Sequence, residues 1–527
     1  MVRRLFAVLS LASISTVALF ALFWPGAWWA MVLVAPVVSL GIRDLMQKRH
    51  TIQRIYPVIG HLRYLFESVR PEMQQYFVES DTEGRPVNRE FRSLVYQRAK
   101  GVRDTRPFGT IFDVYKPGSE WLHHSITPQP PATEEARVQF GGAQCTQPYA
   151  ASHLNISAMS YGALSRNAVL ALNHGAKLGG FAHNTGEGGL SPYHLEPGGD
   201  LVWQIGTGYF GCRTSEGEFD AALFAKKALL PQVKMIEIKL SQGAKPGHGG
   251  ILPAAKLTEE IARIRHVPMG QDVVSPPAHT AFSTPEGLLQ FVSQLRTLAG
   301  GKPVGFKLCI GRRAEFLSIC KAMLETGELP DFITIDGSEG GTGAAPIEFT
   351  NSLGMPLRDG LALVHNALVG IGVRDQIRLI GAGKIVSAFH LIRLFALGAD
   401  TVNAARAMMF SLGCIQARQC NANTCPTGVA TQDPRRYRHL NVDDKSRRVA
   451  NYHLATIHAL LEIVAAAGLT SPAQITRAHV LRRINEETIR TYADIYPQID
   501  TNCLVDGRAV PGDWAVDWRS ASAQQWA

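Results

Sequence analysis

Eight short apolar or β-branched runs, each closing on a small-residue or polar loop, recur between residues 154 and 407. They are LNISAMS (154–160), GFAHNTG (180–186), LVWQIG (201–206), MIEIKLSQG (235–243), PVGFKLCIG (303–311), FITIDGSEGG (332–341), IRLIGAG (377–383) and TVNAARA (401–407). Helical periodicity fills the gaps at Arg166–Leu178, Asp220–Leu229, Thr258–Arg265, Ala314–Thr326, Leu361–Gly370 and Ala388–Leu397. Strands alternating with helices make an α/β chain, and eight of them are the arithmetic of a (β/α)8 TIM barrel. An open doubly wound sheet permits the same alternation. The count of eight and the polar loops at the strand ends favour the barrel. Residues 151–470 are assigned to it, with Asn451–Ala467 as a closing amphipathic helix. Residues 46–150 read as a mixed extension with a helical stretch at Gln53–Phe66 and a Pro-rich loop at Thr127–Pro131. Residues 471–527 read as a C-terminal tail that carries little pattern beyond about residue 490.

Gly206, Gly208 and Gly211 in GTGYFG fit G-x-G-x-x-G after a strand. A dinucleotide turn needs a helix to start at once, so that its N-terminus holds the pyrophosphate. Here Cys212 to Gly217 intervene, which argues against a nicotinamide site.

From Leu5 to Ile42 the chain carries no charge. One helix through all of it would rise about 57 Å, nearly twice a bilayer's hydrocarbon core. Trp24-Pro25-Gly26 interrupts the run, because proline removes a donor and glycine relaxes the backbone. Two spans, about 5–23 and 27–42, form a transmembrane hairpin within residues 1–45, with Trp24, Trp28 and Trp29 at an interface. Arg3, Arg4 and Arg43 flank the outer ends, which puts the remainder of the chain in the cytoplasm, on the inner face of the membrane. A cleaved signal peptide is the rival reading, opposed by the second apolar run and the basic segment after it.

The net charge of +9 could point to nucleic acid or a membrane surface. Much of the basic clustering (Arg3, Arg4, Arg43, Lys48, Arg49, Arg54) adjoins the apolar N-terminus, and no basic run elsewhere is interleaved with aromatics. That weighs against nucleic acid. Eight cysteines in 527 residues do not make a secreted disulfide scaffold.

Three of those cysteines crowd into GCIQARQCNANTCPTGVATQ, residues 413–432: Cys414, Cys420 and Cys425, spaced C-x5-C-x4-C, with Pro426 next. Thiolates converging from one bent loop are how iron–sulfur clusters are held. Zinc would want tetrahedral closure from C-x2-C pairs, which are missing here, and three buried cysteines are the bland alternative. Three ligands fit a three-iron cluster, or a fourth ligand elsewhere. At the end of the barrel, Gly381, Gly383 and Lys384 follow strand seven and Arg406 follows strand eight. Phosphate sites of such barrels form there from backbone N–H groups and added charge, though a pair of tight turns reads the same way. Other strand ends carry Glu187, Lys239, Lys245, Lys307, Asp336 and Glu339. A flavin needs a cation or donor near its N1–C2=O edge, and an acid substrate needs cations for its carboxylates. Any one of these lysines could instead be a solvated surface charge.

Taken together, SAMSYGALS, HNTGEGG, KLSQGAKPGHGGILP, SPPAH, DGSEGGTGAAP, GAGK and the cysteine loop resemble, in order, the FMN-binding synthase domain of glutamate synthase. The resemblance runs from about residue 155 to 432 and implies FMN at the barrel mouth beside a [3Fe–4S] cluster. It makes Cys414, Cys420 and Cys425 the cluster ligands. Ser157, Ala158, Met159, Lys239, Gln242 and Lys307 become cofactor-binding residues, with Gly381, Gly383, Lys384 and Arg406 towards the phosphate. Glu187, Lys245 and Arg265 become the catalytic set facing 2-oxoglutarate. The implied reaction is reductive amination of a 2-oxo acid, with electrons reaching FMN through the cluster.

The chain departs from the family in three ways. No amidotransferase precedes the barrel, so ammonia is expected free or from another chain. No nicotinamide site is evident, so an external protein is expected to donate electrons. The family motif GEGGQLP reads Gly247-His248-Gly249-Gly250-Ile251-Leu252-Pro253 here, without the glutamine that would help hold 2-oxoglutarate. An FMN oxidoreductase with another substrate, or an electron-transfer subunit of a membrane complex, remains an alternative.

Overall fold

The computed structural model describes residues 1–508 and 510–527. The chain divides into two compact units, Met1–Arg89 and Glu90–Ala527.

In the first unit, helices Val2–Phe23 and Met31–Met46 are separated by a 3-10 turn, Pro25–Ala30. Trp24 is extended and Pro25 opens the turn, so the break falls where proline removes the donor. Each segment is long and apolar enough to cross a membrane. The two pack closely at Gly41, where a Cβ would lie 2.0 Å from Phe6 Cζ. Small residues at such crossings let helices approach. The helical stretch 53–66 is broken at Pro57, giving Thr51–Ile55 and Gly60–Met73. Buried Asp44 pins that break by accepting from Val58 N (2.9 Å) and His61 Nε2 (2.8 Å).

The second unit is a closed parallel barrel of eight strands in chain order. We number them β1 (Leu154–Ile156), β2 (His183–Asn184), β3 (Leu201–Ile205), β4 (Val233–Lys239), β5 (Val304–Leu308), β6 (Phe332–Asp336), β7 (Arg378–Ala382) and β8 (Thr401–Ala404). All eight sequence runs are strands. β8 closes on β1 with Asn403 opposite Asn155. The helix Pro285–Leu298 was not foreseen, although Thr284 caps it and Pro285 stands at its first position. After β2 the crossover shrinks to one turn, Pro192–Leu195, because prolines and glycines crowd residues 192–199. The closing helix starts at Val442 rather than Asn451, capped by the Asn441 side chain. Its apolar face lies on Arg166–Gly179, where a Cβ at Gly175 would sit 2.6 Å from Val449 Cβ. This third segment of span length is thus a barrel helix.

The N-terminal end of the barrel is plugged. A hairpin, Val138–Phe140 with Tyr149–Ala151, sends Phe140 into a cluster with Ala182, Val202, Met235, Phe332 and Ile380. Phe140 and Phe332 meet edge-on at 5.7 Å. Further along the axis the interior turns polar. Glu237 accepts from Asn184 Nδ2 (2.8 Å), Gln204 Nε2 (2.6 Å) and Thr334 Oγ1 (2.7 Å). The C-terminal segment folds with the barrel rather than trailing from it. Val480–Arg483 pairs with Glu120–Leu122 and with Ile489–Thr491. Helix Gly512–Ser520 holds Arg313 through Asp517 (2.5 Å) and the Trp514 ring.

Candidate functional site

With one end plugged, the open end of the barrel is where the strands finish, and polar side chains gather there. Ser157, Ala158 and Met159 follow β1, and Glu187 follows β2. Lys239 ends β4, with Gln242 and Lys245 in the loop beyond. Lys307 and Asp336 come from β5 and β6, Gly383 and Lys384 follow β7, and Arg406 follows β8. Gly381 lies inside β7, where a Cβ would meet Leu394 Cδ1 at 3.0 Å. Its smallness lets the outer helix pack on the strand.

Glu187 is the hub of one half of the mouth. Its carboxylate accepts from Lys239 Nζ at 2.7 Å, with both side chains largely buried. Burial pushes the Glu187 pKa up, but Lys239 first, then Arg265 and Lys245, bring it below its ordinary value. Lys245 is 2% exposed, and burial with the neighbouring Lys239 charge lowers its pKa to about 8. Arg265 reaches in from the helix Glu259–Arg265, 4% exposed, with its guanidinium 5.1 Å from the Phe210 ring centroid. It donates to Tyr161 O (3.1 Å), and its Nε has no protein partner. Loops can close on Glu187 because glycines face it. A Cβ would sit 2.3 Å from Glu187 Oε1 at Gly250 and 2.7 Å from Glu187 at Gly206.

The other half is built on a second pair, Lys307 Nζ to Asp336 Oδ2 at 3.1 Å. Burial opposes the Lys307 ammonium, but Asp336 and then Glu237 raise its pKa. Asp336 also accepts from Gly243 N at 3.0 Å, tying the loop after β4 to β6. There the backbones touch, since a Cβ on Gly243 would lie 1.7 Å from Gly337 O. Gly383 and Lys384 both adopt positive φ, 144° and 53°, which turns the chain sharply after β7. Arg406 Nη2 donates to Glu339 O at 2.6 Å and so stands between β8 and the loop after β6.

In the cysteine loop, burial pushes the Cys414 thiol up to about 12. Burial acts likewise on Cys425, yet the Thr427 hydroxyl and the N–H groups of Ala430, Thr427 and Val429 outweigh it and lower its pKa. Oriented donors around one sulfur favour a thiolate. No group of three His, Cys, Asp or Glu side chains is set to hold a single metal ion among the described residues.

The GTGYFG turn contributes packing. The next helix begins only at Ala221, and buried Tyr209 shares its hydroxyl with His279 Nδ1 (3.0 Å) and Ala281 N (3.1 Å). His279 in turn meets Lys239 O at 3.0 Å. Sequence reasoning missed His279, Lys256 and the Glu237 set. For Glu237 the signal was present, as polar residues inside strands that are otherwise apolar. For Lys256 there was none.

The family model for the conserved region in glutamate synthase matches residues 132–470. A glutamate synthase large subunit-like protein of Bacillus subtilis (strain 168) is 39% identical over 501 residues, which are 87% of this chain and 95% of that protein. The chain belongs to the glutamate synthase family. Two further relatives are the archaeal-type glutamate synthase (NADPH) of Thermotoga neapolitana, 35% identical, and the archaeal glutamate synthase (NADPH) of Methanocaldococcus jannaschii, 37% identical. Each match covers 60% of this chain and 59% of the relative, so the chain spans about three fifths of those two proteins. The family's enzymes are oxidoreductases acting on CH–NH2 donors.

The buried Lys307–Asp336 pair gives a direct test of the mouth. Asp336→Ala leaves an ammonium buried without its partner and should destabilise the fold by about 3–5 kcal/mol. The double variant Asp336→Ala/Lys307→Met should recover much of that loss. Equal denaturation midpoints for wild type and Asp336→Ala would contradict the pairing.

Proposed function

We propose that this protein is an FMN- and iron–sulfur-dependent oxidoreductase that reductively aminates a 2-oxo acid at the barrel mouth. One observation carries the reading. Lys239, Lys245 and Arg265 surround the single carboxylate of Glu187, which leaves a buried excess of positive charge. A substrate with carboxylates balances that excess, and Arg265 Nε still lacks a partner. FMN, when bound, supplies hydride to the carbon that carries the new nitrogen.

The chain's own residues orient and neutralise. Lys245 and Arg265 hold the acid. Glu187, kept ionised by its cations, orients an ammonium or the Lys239 Nζ and does not itself take the proton. Gly383 and Lys384, with Arg406, fit a phosphate through a sharp backbone turn and two cations. Ser157, Ala158, Met159, Gln242 and Lys307 line the ring, and Asp336 holds Lys307 in place. Cys414, Cys420 and Cys425 fit a [3Fe–4S] cluster, since they share one loop and Cys425 is surrounded by donors that favour thiolate. A cluster also separates its ligands more widely than one ion does. Ammonia and an external protein electron donor complete the reaction. The helices Val2–Phe23 and Met31–Met46 anchor the chain in the cytoplasmic membrane with the barrel in the cytoplasm. That anchor also supports a second reading, an electron-transfer subunit of a membrane complex.

Three measurements test this. Protein purified under argon should release about one FMN per chain on heating and show a three-iron EPR signal. Cys420→Ser should lose the signal and keep flavin, because serine is a harder ligand. Release of FAD, or unchanged iron in the variant, would count against the assignment.

For substrate, 2-oxo acids assayed with ammonia and a chemical reductant should be aminated. Affinity should be highest below about pH 8 and fall above it, as Lys245 loses its proton. Lys245→Met should raise KM by about ten- to a hundredfold and abolish that dependence. Ile251 offers no hydrogen bond, so Ile251→Gln should improve 2-oxoglutarate use relative to less polar acids. If no acid is aminated by protein with full flavin and cluster, the electron-transfer reading prevails.

For topology, protease added outside intact cells should leave the barrel uncut. Digestion of the barrel from outside would reverse the orientation.

A further inference from the structure

We propose that Lys256 is the resident counter-charge of the iron–sulfur cluster and sets its reduction potential. The proposal rests on the cluster reading above.

Lys256 ends a 3-10 turn, Ala254–Lys256, and is 3% exposed. Its ammonium donates to three carbonyls drawn from two other loops: Ala163 O (2.8 Å), Cys420 O (3.1 Å) and Ala430 O (3.2 Å). A lysine ammonium has three protons, so all of its donors are used and its position is fixed. Yet carbonyls do not cancel its charge. Among the described residues, Nζ forms no ion pair with a carboxylate, and a lysine buried this deeply is usually paired with an anion. Burial lowers its pKa to about 8, the sulfurs of Cys420 and Cys425 act against that, and Arg265 adds to it.

The turn is stitched to the cysteine loop by other bonds, so Lys256 cannot drift away. Asn423 Nδ2 donates to Ala255 O at 3.1 Å, and Ala254 N donates to Asp272 Oδ1 at 2.7 Å. Gln432 Nε2 donates to Gly162 O (3.0 Å) and Leu164 O (2.8 Å), which holds the third loop. The structure has therefore buried a cation at a fixed point beside thiols and given it no protein anion. An anionic, thiolate-held group supplies what is missing.

The redox consequence follows from charge alone. Reduction brings one electron from the donor protein onto the thiolate-held iron, and reoxidation passes one on towards the flavin. No bond forms or breaks at Lys256, and its proton stays in place. A fixed positive charge in a buried site stabilises the more negative, reduced form and raises the potential.

The test is an EPR-monitored potentiometric titration of the purified full-length protein beside Lys256→Gln and Lys256→Arg. Glutamine keeps hydrogen-bond donors without charge, and arginine keeps the charge. Lys256→Gln with full iron should shift to a lower potential by at least about tenfold in the oxidised-to-reduced ratio, 59 mV for one electron, with Lys256→Arg close to wild type. Iron lost from Lys256→Gln but retained in Lys256→Arg also supports the proposal, because charge is then what retains the cluster. Full iron and an unchanged potential in Lys256→Gln overturns it and leaves the cluster reading standing. Iron lost from both variants overturns it as well, since the role is then geometric. A wild-type protein without iron sinks both.

Discussion

A carboxylate sealed inside a barrel must be satisfied by its walls, and Glu237 is satisfied from three strands besides its own. Donors from β2, β3 and β6 converge on it, and the Lys307 charge on β5 lies within its field. A shift of any of these strands by one residue would turn its donor outward and leave a buried charge bare, at a cost of several kcal/mol. This layer therefore fixes the register of the barrel. Side chains repeat every second residue on one face of a strand, so the register carries straight up to the mouth. Lys239 stands two residues beyond Glu237, and Asp336 two beyond Thr334. The charges of the open end are placed by the polar layer beneath them.

Much of this was legible in the residues, and the reasons are local. Most strand runs end at or just before a polar side chain of the mouth, so finding strands was nearly the same as finding the mouth. Glu187, Lys245, Lys307 and Arg406 could be named from their strand ends before any coordinates, and Arg265 from the family resemblance alone. What could not be read was pairing. Nothing in the sequence says that Lys239 is neutralised by Glu187 across two strand ends, or that Gly381 faces an outer helix while Gly383 makes the turn. Lys256 was illegible for the same reason, because its three acceptors lie 93, 164 and 174 residues away in sequence and no pattern joins them. The crossover after β2 failed as a full helix because Pro192 and Pro197 bracket too few residues. The C-terminal segment carries few periodic signals because its bonds to the barrel are made by single side chains such as Asp517 and Trp514.

The mouth divides its charge unevenly. On one side Lys307 is matched one to one with Asp336, a neutral arrangement. On the other, cations outnumber the carboxylate, an arrangement tolerable in a buried site only when a ligand returns the balance. The two apolar helices of the first unit meet under a simpler constraint: Gly41 carries no side chain, and that lets them close on Phe6.

Gly206 and Gly250 press on Glu187 from two sides, so neither position can gain even a methyl group without moving that carboxylate. Mutational drift around this carboxylate is thereby steered away from these two positions. Descendants of this chain can vary the surrounding walls while the charged hub is inherited intact.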